Sequence, residues 1–175
     1  MKKILIAFFL AGIFFSCFPL VFSQEEPKAE PEKTVNYKYG IVSIDDIFLG
    51  SPDWKALMEE YQPKPESIIA LASVAVPVKV EIYYGHWCSD SVNNVPKFLK
   101  TIELAANPAF ELEFWSLEKI KKGEKRGPVN NRQLKAIPTF VVFIEGKEAG
   151  EIIENPTATI EEDLVNILSG NASGK

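Results

Sequence analysis

The order of apolar and polar side chains along this sequence predicts a mixed α/β domain. Residues 78–84 alternate between apolar and polar side chains, which is typical of a strand. Residues 89 to about 106 carry apolar side chains at helical spacing, which predicts a helix that contains Pro96. Further strands are predicted at 110–117, 139–144 and 147–153, and a closing helix at 159–168. Together these elements predict a central mixed sheet of about four strands flanked by helices.

Shorter helical patterns precede this domain. Ser43 is suited to cap a short helix, and Pro52 is suited to the first turn of a second one. Pro65 opens a third helical pattern, and Pro77 ends it just before the first predicted strand. The first two helices are expected to form an extension on the N-terminal side of the domain, and the third is expected to belong to the domain.

The first residues have the features of an export signal. Lys2 and Lys3 precede an apolar run that is too short to span a bilayer comfortably, and a small-residue cleavage site follows before Gln24. Cleavage before Cys17 would instead give a lipid-anchored lipoprotein, the case in which we expect membrane attachment, and an uncleaved anchor is a third interpretation. We expect an exported protein, periplasmic or secreted. The predicted organisation is a signal peptide at 1–23, a disordered tether at 24–36, the N-terminal helical extension at 37–64, the main domain at 65–170 and a disordered tail at 171–175.

Charge and cysteine content narrow the possible functions. The formal net charge is −5, which argues against nucleic acid as a partner, because binding to phosphates needs a basic face. The sequence has two cysteines, and if Cys17 is removed or lipidated, Cys88 is the thiol that is left. No internal disulfide is then possible. A lone cysteine in an oxidising compartment is either buried and inert or exposed for chemistry.

Several residues stand at a characteristic spacing around Cys88. They are Trp87 directly before it, Pro96 eight residues after it, the sequence Ile137–Pro138–Thr139, and Gly146. In this register they resemble the W-C-x-x-C turn, the helix-kinking proline, the cis-proline loop and the hairpin glycine of the thioredoxin superfamily. The resemblance covers roughly residues 65 to 170 and implies a thioredoxin-like fold.

The turn itself resembles a narrower group. Trp87–Cys88–Ser89–Asp90–Ser91 is similar to the W-C-[GS]-D-S turn of exported bacterial thioredoxin-like proteins, and the hairpin that starts at Gly146 is similar to their G-K-E-x-G-x-I sequence. The resemblance implies a C-x-x-S site in which Ser91 stands where the superfamily has its second cysteine. The resemblance to this group therefore implies a fold and a site, but no particular activity.

The chemistry of such a turn depends on one sulfur. A cysteine at a helix N-terminus lies among unpaired N–H groups at the positive end of the helix dipole, which favours the thiolate. Ser91 has no sulfur with which to resolve a mixed disulfide, although its hydroxyl is able to donate a hydrogen bond to the Cys88 thiolate. Asp90 either modulates the thiolate by repulsion or caps the helix and stabilises its dipole. Ile82 stands where the superfamily has a buried acid that assists the second cysteine.

The resemblance also implies a substrate groove. Pro138 in the cis form would hold the Ile137 backbone next to Cys88, free to pair with an extended peptide, or it would simply complete the fold. Trp87 is either a platform for substrate or a lid on the core. Residues 118–132 are charged and contain glycine, which predicts a loop and a short helix. Their basic side chains either attract a small anionic thiol such as glutathione or are a solvated surface: Lys119, Lys121, Lys122, Lys125 and Arg126.

No metal or cofactor is expected. His86 is the only histidine, and its alternation with Cys88 and Asp90 in a turn does not bring three ligands together. Two functions fit these features. The leading hypothesis is a monothiol thiol-disulfide oxidoreductase that forms mixed disulfides with an exported client protein or a small-molecule thiol. The competing hypothesis is a redox-inactive thioredoxin-fold module that binds an extended peptide.

Overall fold

The computed structural model describes residues 37–124 and 126–170. The predicted signal peptide, the tether, the alternative lipid site at Cys17 and the predicted tail lie outside the described residues. None of the helices within 37–124 and 126–170 combines the length and the apolar character of a membrane span.

The described chain forms a mixed sheet with helices packed on it, so the predicted thioredoxin-like α/β architecture is confirmed. In chain order the elements are β1 (Gly40–Val42), α1 (Ile44–Gly50), α2 (Trp54–Glu60), α3 (Pro65–Ala72), β2 (Val78–Tyr84), α4 (Ser89–Ala105), β3 (Phe110–Ser116), β4 (Thr139–Ile144), β5 (Lys147–Ile153) and α5 (Ile160–Leu168).

The sheet has five strands in the order β1-β3-β2-β4-β5, one more than the sequence pattern predicted. β2 and β3 are parallel, as a strand–helix–strand unit requires, and the other pairs are antiparallel. The additional strand is β1, whose three residues are too few to show an alternating pattern. Because β1 pairs with β3, the segment predicted as a helical extension also supplies an edge of the sheet.

One face of the sheet is covered by the helices, and we call it the helix-covered face. Val80 and Ile82 of β2 point to this face and have no exposed surface. Every helix of the described chain contributes a buried side chain to the same apolar cluster, for example Ile47, Trp54, Leu71, Phe98 and Leu164. This cluster is the main hydrophobic core, and it fixes α4, the helix whose N-cap residue is Cys88.

The opposite face is covered by residues 117–138, which we call the connector. Its buried cluster is smaller and consists of Tyr83, Leu117 and Val141. The short helix predicted within 118–132 is absent from the described residues, which form turns and an isolated bridge between Val129 and Arg132. The prediction was wrong because this stretch has no helical apolar repeat to bury, so its path is set by glycines and by residues in the left-handed region.

The extension is attached to the C-terminal helix by a buried carboxylate. Glu161 in the first turn of α5 is 1% exposed. It accepts a hydrogen bond from the Tyr61 hydroxyl at 2.6 Å and another from the Lys64 N–H at 3.1 Å. Burial opposes ionisation of this carboxyl, but the hydrogen bonds from Tyr61 and Lys64 outweigh it, and the pKa of Glu161 is lowered. A charged group therefore joins two segments that are far apart in sequence.

Candidate active site

Cys88 lies at the N-terminus of α4, at the end of a turn that follows β2. It is the N-cap residue of the helix, with φ −92° and ψ 122°. Its N–H donates to the Gly85 carbonyl at 3.0 Å, and its own carbonyl accepts from the Val92 N–H at 3.0 Å. The side chain is partly exposed, so the thiol is open to solvent and to a reaction partner.

The connector ends in a loop that lies directly beside this thiol. The Ile137–Pro138 peptide bond is cis, and the Cys88 Sγ is 3.4 Å from the Ile137 carbonyl oxygen. The Pro138 carbonyl accepts a hydrogen bond from the Glu154 N–H at 2.7 Å. The Ile137 N–H has no hydrogen-bond partner within residues 37–124 and 126–170. The backbone beside the sulfur therefore retains a free donor for a bound peptide.

Trp87 forms the other side of the turn. Its side chain is 41% exposed and its Nε1 donates to the Leu117 carbonyl at 3.1 Å. A Cβ added at Gly85 would come within 2.8 Å of the Trp87 ring and 3.2 Å of the Ile137 side chain. Trp87 and Ile137 therefore approach each other over Gly85, where a larger residue would not fit.

Ser91 is hydrogen-bonded to the turn that precedes α4. It is completely buried, and its Oγ accepts a hydrogen bond from the Gly85 N–H at 3.2 Å. No hydrogen bond joins Ser91 to Cys88 in the described part of the chain. The structure thus gives Ser91 a contact to the turn, and its predicted bond to a Cys88 thiolate stays a prediction.

Asp90 lies in the first turn of α4, but its carboxylate is not a cap. Its Oδ1 accepts from the Asn155 side chain at 3.4 Å, and α4 has no side-chain capping hydrogen bond at Cys88. The predicted capping bond is therefore not formed, because the carboxylate is directed to the loop after β5. Its other predicted roles, stabilisation of the helix dipole and repulsion of a Cys88 thiolate, stay predictions.

Asn94, a buried residue that the sequence analysis missed, connects the helix to the cis-proline loop. Its side chain is 1% exposed and donates to the Glu154 carbonyl at 2.8 Å and to the Asn155 Oδ1 at 2.9 Å. Since the Glu154 N–H bonds to Pro138, Asn94 holds α4 and this loop together. An amide at an inward position of an otherwise apolar helix face was the available signal.

His86 was also missed as a structural residue. Its Nδ1 is 2.6 Å from the Ser51 Oγ, and its ring lies 4.7 Å from that of Tyr37 and 5.5 Å from that of Trp54. Burial lowers the pKa of His86 from 6.5 to about 4, so the ring is neutral at pH 7. The described residues contain no group of three or more His, Cys, Asp or Glu side chains placed to hold a metal.

Comparison with known proteins agrees with this geometry. A family model for thioredoxin matches residues 51–166, which is more than half of the sequence. The chain belongs to the thioredoxin family. The predicted membership of the superfamily is thereby confirmed, and no curated protein gives a significant match.

Two solved structures are similar to this thioredoxin-family chain at low identity. One is a protein of unknown function from Pseudomonas aeruginosa, 18% identical over 70% of this chain and 71% of its own, with a TM-score of 0.43. The other is an HIV epitope scaffold, 19% identical over 69% of this chain and 73% of its own, with a TM-score of 0.42. Neither is similar enough to lend a function.

The thioredoxin-family site therefore combines one accessible thiol with a free backbone edge. The position of the family's buried acid is occupied by Ile82, which has no exposed surface. The buried acid of β2 is Glu81, on the connector-covered face, where its carboxylate accepts from the Tyr83 hydroxyl at 2.7 Å. The arrangement places an accessible thiol beside an unpaired backbone N–H, and Ser91 supplies no second sulfur.

Proposed function

We propose that this thioredoxin-family protein exchanges disulfides through Cys88 alone, by forming mixed disulfides with an extended segment of a client protein or with a small-molecule thiol. One observation carries the proposal: a partly exposed sulfur at a helix N-terminus lies 3.4 Å from the Ile137 carbonyl that precedes cis-Pro138. Ile137 supplies the backbone edge for the client, and Trp87 is its platform.

The chemistry is a single exchange step. The Cys88 thiolate attacks one sulfur of a client disulfide, the new Cys88–client S–S bond forms, and the old bond breaks with its electron pair on the leaving sulfur. That sulfur takes a proton from solvent. Because Ser91 has no sulfur, the thiolate of an outside low-molecular-weight thiol attacks the client sulfur of the mixed disulfide. A disulfide forms between that thiol and the client, and Cys88 leaves with the electron pair in its reduced form.

We propose further that the protein acts outside the cytoplasm. Support comes from the basic start and short apolar run of residues 1–23, and from the likeness of Trp87–Ser91 to the W-C-x-D-S turn of exported bacterial proteins. Disulfides persist in such compartments, so a client disulfide is available there. Attachment to the membrane is proposed only for a form that is lipidated at Cys17.

A second candidate function is a redox-inactive module that binds an extended peptide. Two observations favour it. Ser91 is buried and bonded to the Gly85 N–H, as a purely structural residue would be, and Ile82 replaces the acid that serves a two-cysteine cycle. In this case the free N–H of Ile137 and the exposed Trp87 bind the peptide, and no bond to the sulfur forms.

Trapping of mixed disulfides distinguishes the two functions. The protein is recovered from its own host after acid quenching and alkylation, alongside a Cys88→Ser variant. We expect covalent adducts that a reductant releases and that Cys88→Ser lacks. Adduct-free wild-type protein that still binds unfolded polypeptide would instead favour the binding module.

The site geometry has its own test. Ser91→Cys restores the C-x-x-C spacing and is expected to give insulin-reducing activity, because a second sulfur then resolves the mixed disulfide. Ser89→Cys is the matched control, since it adds a thiol to the exposed neighbouring position without that spacing. An inactive but folded Ser91→Cys protein would contradict the inferred site.

A further inference from the structure

We propose that three lysines at the start of the connector bind an acidic segment of the client beside its reacting cysteine. These residues, Lys119, Lys121 and Lys122, are called the lysine patch. The inference rests on the proposed function, because it names the class of client that the Cys88 site accepts. It comes from the placement of the patch relative to Trp87 and from its lack of ion-pair partners.

The patch is attached to the active turn. The Leu117 N–H donates to the Tyr84 carbonyl at 2.8 Å, and the Leu117 carbonyl accepts from the Trp87 Nε1 at 3.1 Å. Both bonds hold the start of the connector against the end of β2 and against the active turn. Two residues later, the Lys119 Nζ lies 5.8 Å from the centre of the Trp87 ring. The position of this ammonium group is therefore defined relative to the exposed indole.

The surface continues from the patch to the sulfur. Trp87 and Ile137 approach each other over Gly85, and the Ile137 carbonyl is 3.4 Å from the Cys88 Sγ. A peptide that pairs with the free N–H of Ile137 thus lies next to the Trp87 ring over which Lys119 is placed. Carboxylates of that peptide then lie near the ammonium groups of the lysine patch.

The patch is charged and unpaired on an otherwise acidic protein. Its three lysines are exposed, and none forms an ion pair with a described residue. Elsewhere, four lysines have glutamate partners, namely Lys64, Lys79, Lys100 and Lys135. Three others also have no ion pair with a described residue, but they lie far apart in sequence: Lys55, Lys97 and Lys147. Residues 118–126 contain five basic and two acidic side chains, whereas the whole chain has a net charge of −5. Such a local field attracts an anionic partner and repels a cationic one.

An extended acidic segment fits this surface better than a small anionic thiol. From Lys119 to Lys122 the chain spans up to about 10 Å, since each residue extends it by at most about 3.6 Å. Several carboxylates spaced along a peptide are able to match charges spread over this length. A glutathione molecule held at the sulfur has too few carboxylates to use the whole patch.

The test compares three peptides that differ only in the charge around one cysteine, which is activated as its thionitrobenzoate disulfide. The flanking residues are glutamate, glutamine or lysine. Cys88 attacks the peptide sulfur, and thionitrobenzoate leaves with the electron pair and is measured by its absorbance. We expect the glutamate peptide to react about two- to fivefold faster than the glutamine peptide, the range of one or two exposed charge pairs. Salt should reduce the difference because it screens these charges.

Variants locate the effect. Lys119→Glu should remove most of the advantage of the glutamate peptide, and adding Lys121→Glu and Lys122→Glu should abolish what remains. Lys147→Glu is the matched control: it makes the same charge change on an exposed residue, the first of β5. Lys147 pairs with Ile144 at the far end of β4, about 17 Å from Thr139 at a strand rise of about 3.3 Å per residue. Thermal unfolding confirms that each variant is folded. An equal effect of Lys147→Glu, or none in the patch variants, would overturn the inference.

Two further arms separate the alternatives. If Lys119→Glu slows the thionitrobenzoate disulfide of glutathione as much as it slows the glutamate peptide, the patch serves a small anion and the acidic segment is refuted. If no peptide reacts, the proposed exchange fails, but the charge preference is still measured with labelled peptides that carry serine in place of cysteine. Tighter binding of the glutamate version by fluorescence anisotropy, lost in Lys119→Glu, supports the patch, and equal binding of all three versions refutes it.

Discussion

The two faces of the sheet differ in what covers them. The helix-covered face is mainly apolar, and its side chains form one cluster with all the described helices. The connector-covered face has a small apolar cluster surrounded by charged side chains. Its ion pairs join neighbouring strands and the connector: Lys79 with Glu81 and Glu113, and Arg132 with Glu148 and Glu151.

This difference separates stability from recognition. Burial of apolar surface is the main source of folding free energy, so most of the stability belongs to the helix-covered face. The candidate site lies where the two faces meet. α4 brings Cys88 from the first face, and the connector brings Ile137, Pro138 and the contact between Leu117 and Trp87 from the second.

The largest expected effect comes from a large-to-small substitution on each face. Phe98 is completely buried on the helix-covered face, with its ring 5.0 Å from that of Phe140. We expect Phe98→Ala to lower the free energy of unfolding by about 3–5 kcal/mol, because it leaves a cavity that the helices do not close. Phe143→Ala, on a half-buried residue of the connector-covered face, should cost about 1–2 kcal/mol, since less apolar area is lost.

Urea unfolding monitored by circular dichroism measures both losses. Equal losses for the two variants would show that the connector contributes as much to stability as the helices do. The separation of stability from recognition would then be wrong.

A smaller difference is expected between the two buried glutamates, because their partners lie at different distances along the chain. Glu161 accepts hydrogen bonds from Tyr61 and Lys64 of a remote segment at 2.6 and 3.1 Å. The shorter bonds of Glu81 come from Lys79 and Tyr83 on its own strand, and its remote partner Asn130 lies at 3.4 Å. We expect Glu161→Gln to cost about 2 kcal/mol, since hydrogen bonds to a buried charge are lost. Glu81→Gln should cost about 1 kcal/mol, because Lys79 keeps its ion pair with Glu113 at 2.9 Å. Urea unfolding monitored by circular dichroism measures both losses of unfolding free energy. A larger loss for Glu81→Gln than for Glu161→Gln would contradict this ranking.

The regular elements of the helix-covered face could be predicted from sequence. α4 and α5 each bury one side, so their apolar period of 3.6 residues appears directly in the sequence. β2 alternates over residues 78–82, and β4 is a short, almost continuous apolar run because both of its faces are covered. The spacing of Trp87, Pro96 and Pro138 relative to Cys88 also predicted the family, because residues of these types occupy fixed places in the thioredoxin fold.

The remaining features depend on contacts that have no local period. β1 has three residues and exists because it pairs with β3, far along the chain. The connector has no apolar repeat, so no pattern in it shows that it forms turns or that Lys119 lies over Trp87. Asn94 and His86 each form a hydrogen bond to a residue more than thirty positions away, and a single sequence gives no indication of the partner.

The smallest expected effect is a pH dependence of the free energy of unfolding. It arises from His86, which lies next to Trp87 and Cys88 in the turn of the candidate site. His86 packs between Tyr84 of the helix-covered face and the aromatic rings of Tyr37 and Trp54. Because burial lowers its pKa from 6.5 to about 4, the unfolded chain binds a proton between these values and the folded chain does not. The stability that a neutral His86 contributes is therefore complete above pH 6.5 and is lost as the pH falls from 6.5 towards 4.

The expected loss between pH 7 and pH 5 is about 1 kcal/mol, less than the full linkage value because the ring is partly exposed. His86 is the only histidine in the sequence, and carboxylates titrate mainly below this range, so the slope reports on this one ring. His86→Phe keeps an aromatic side chain and removes the titration, so its free energy of unfolding should stay level from pH 7 to pH 5. If the variant loses as much stability as the wild type, His86 is not the source of the acid sensitivity, and the protonation of carboxylates accounts for it instead.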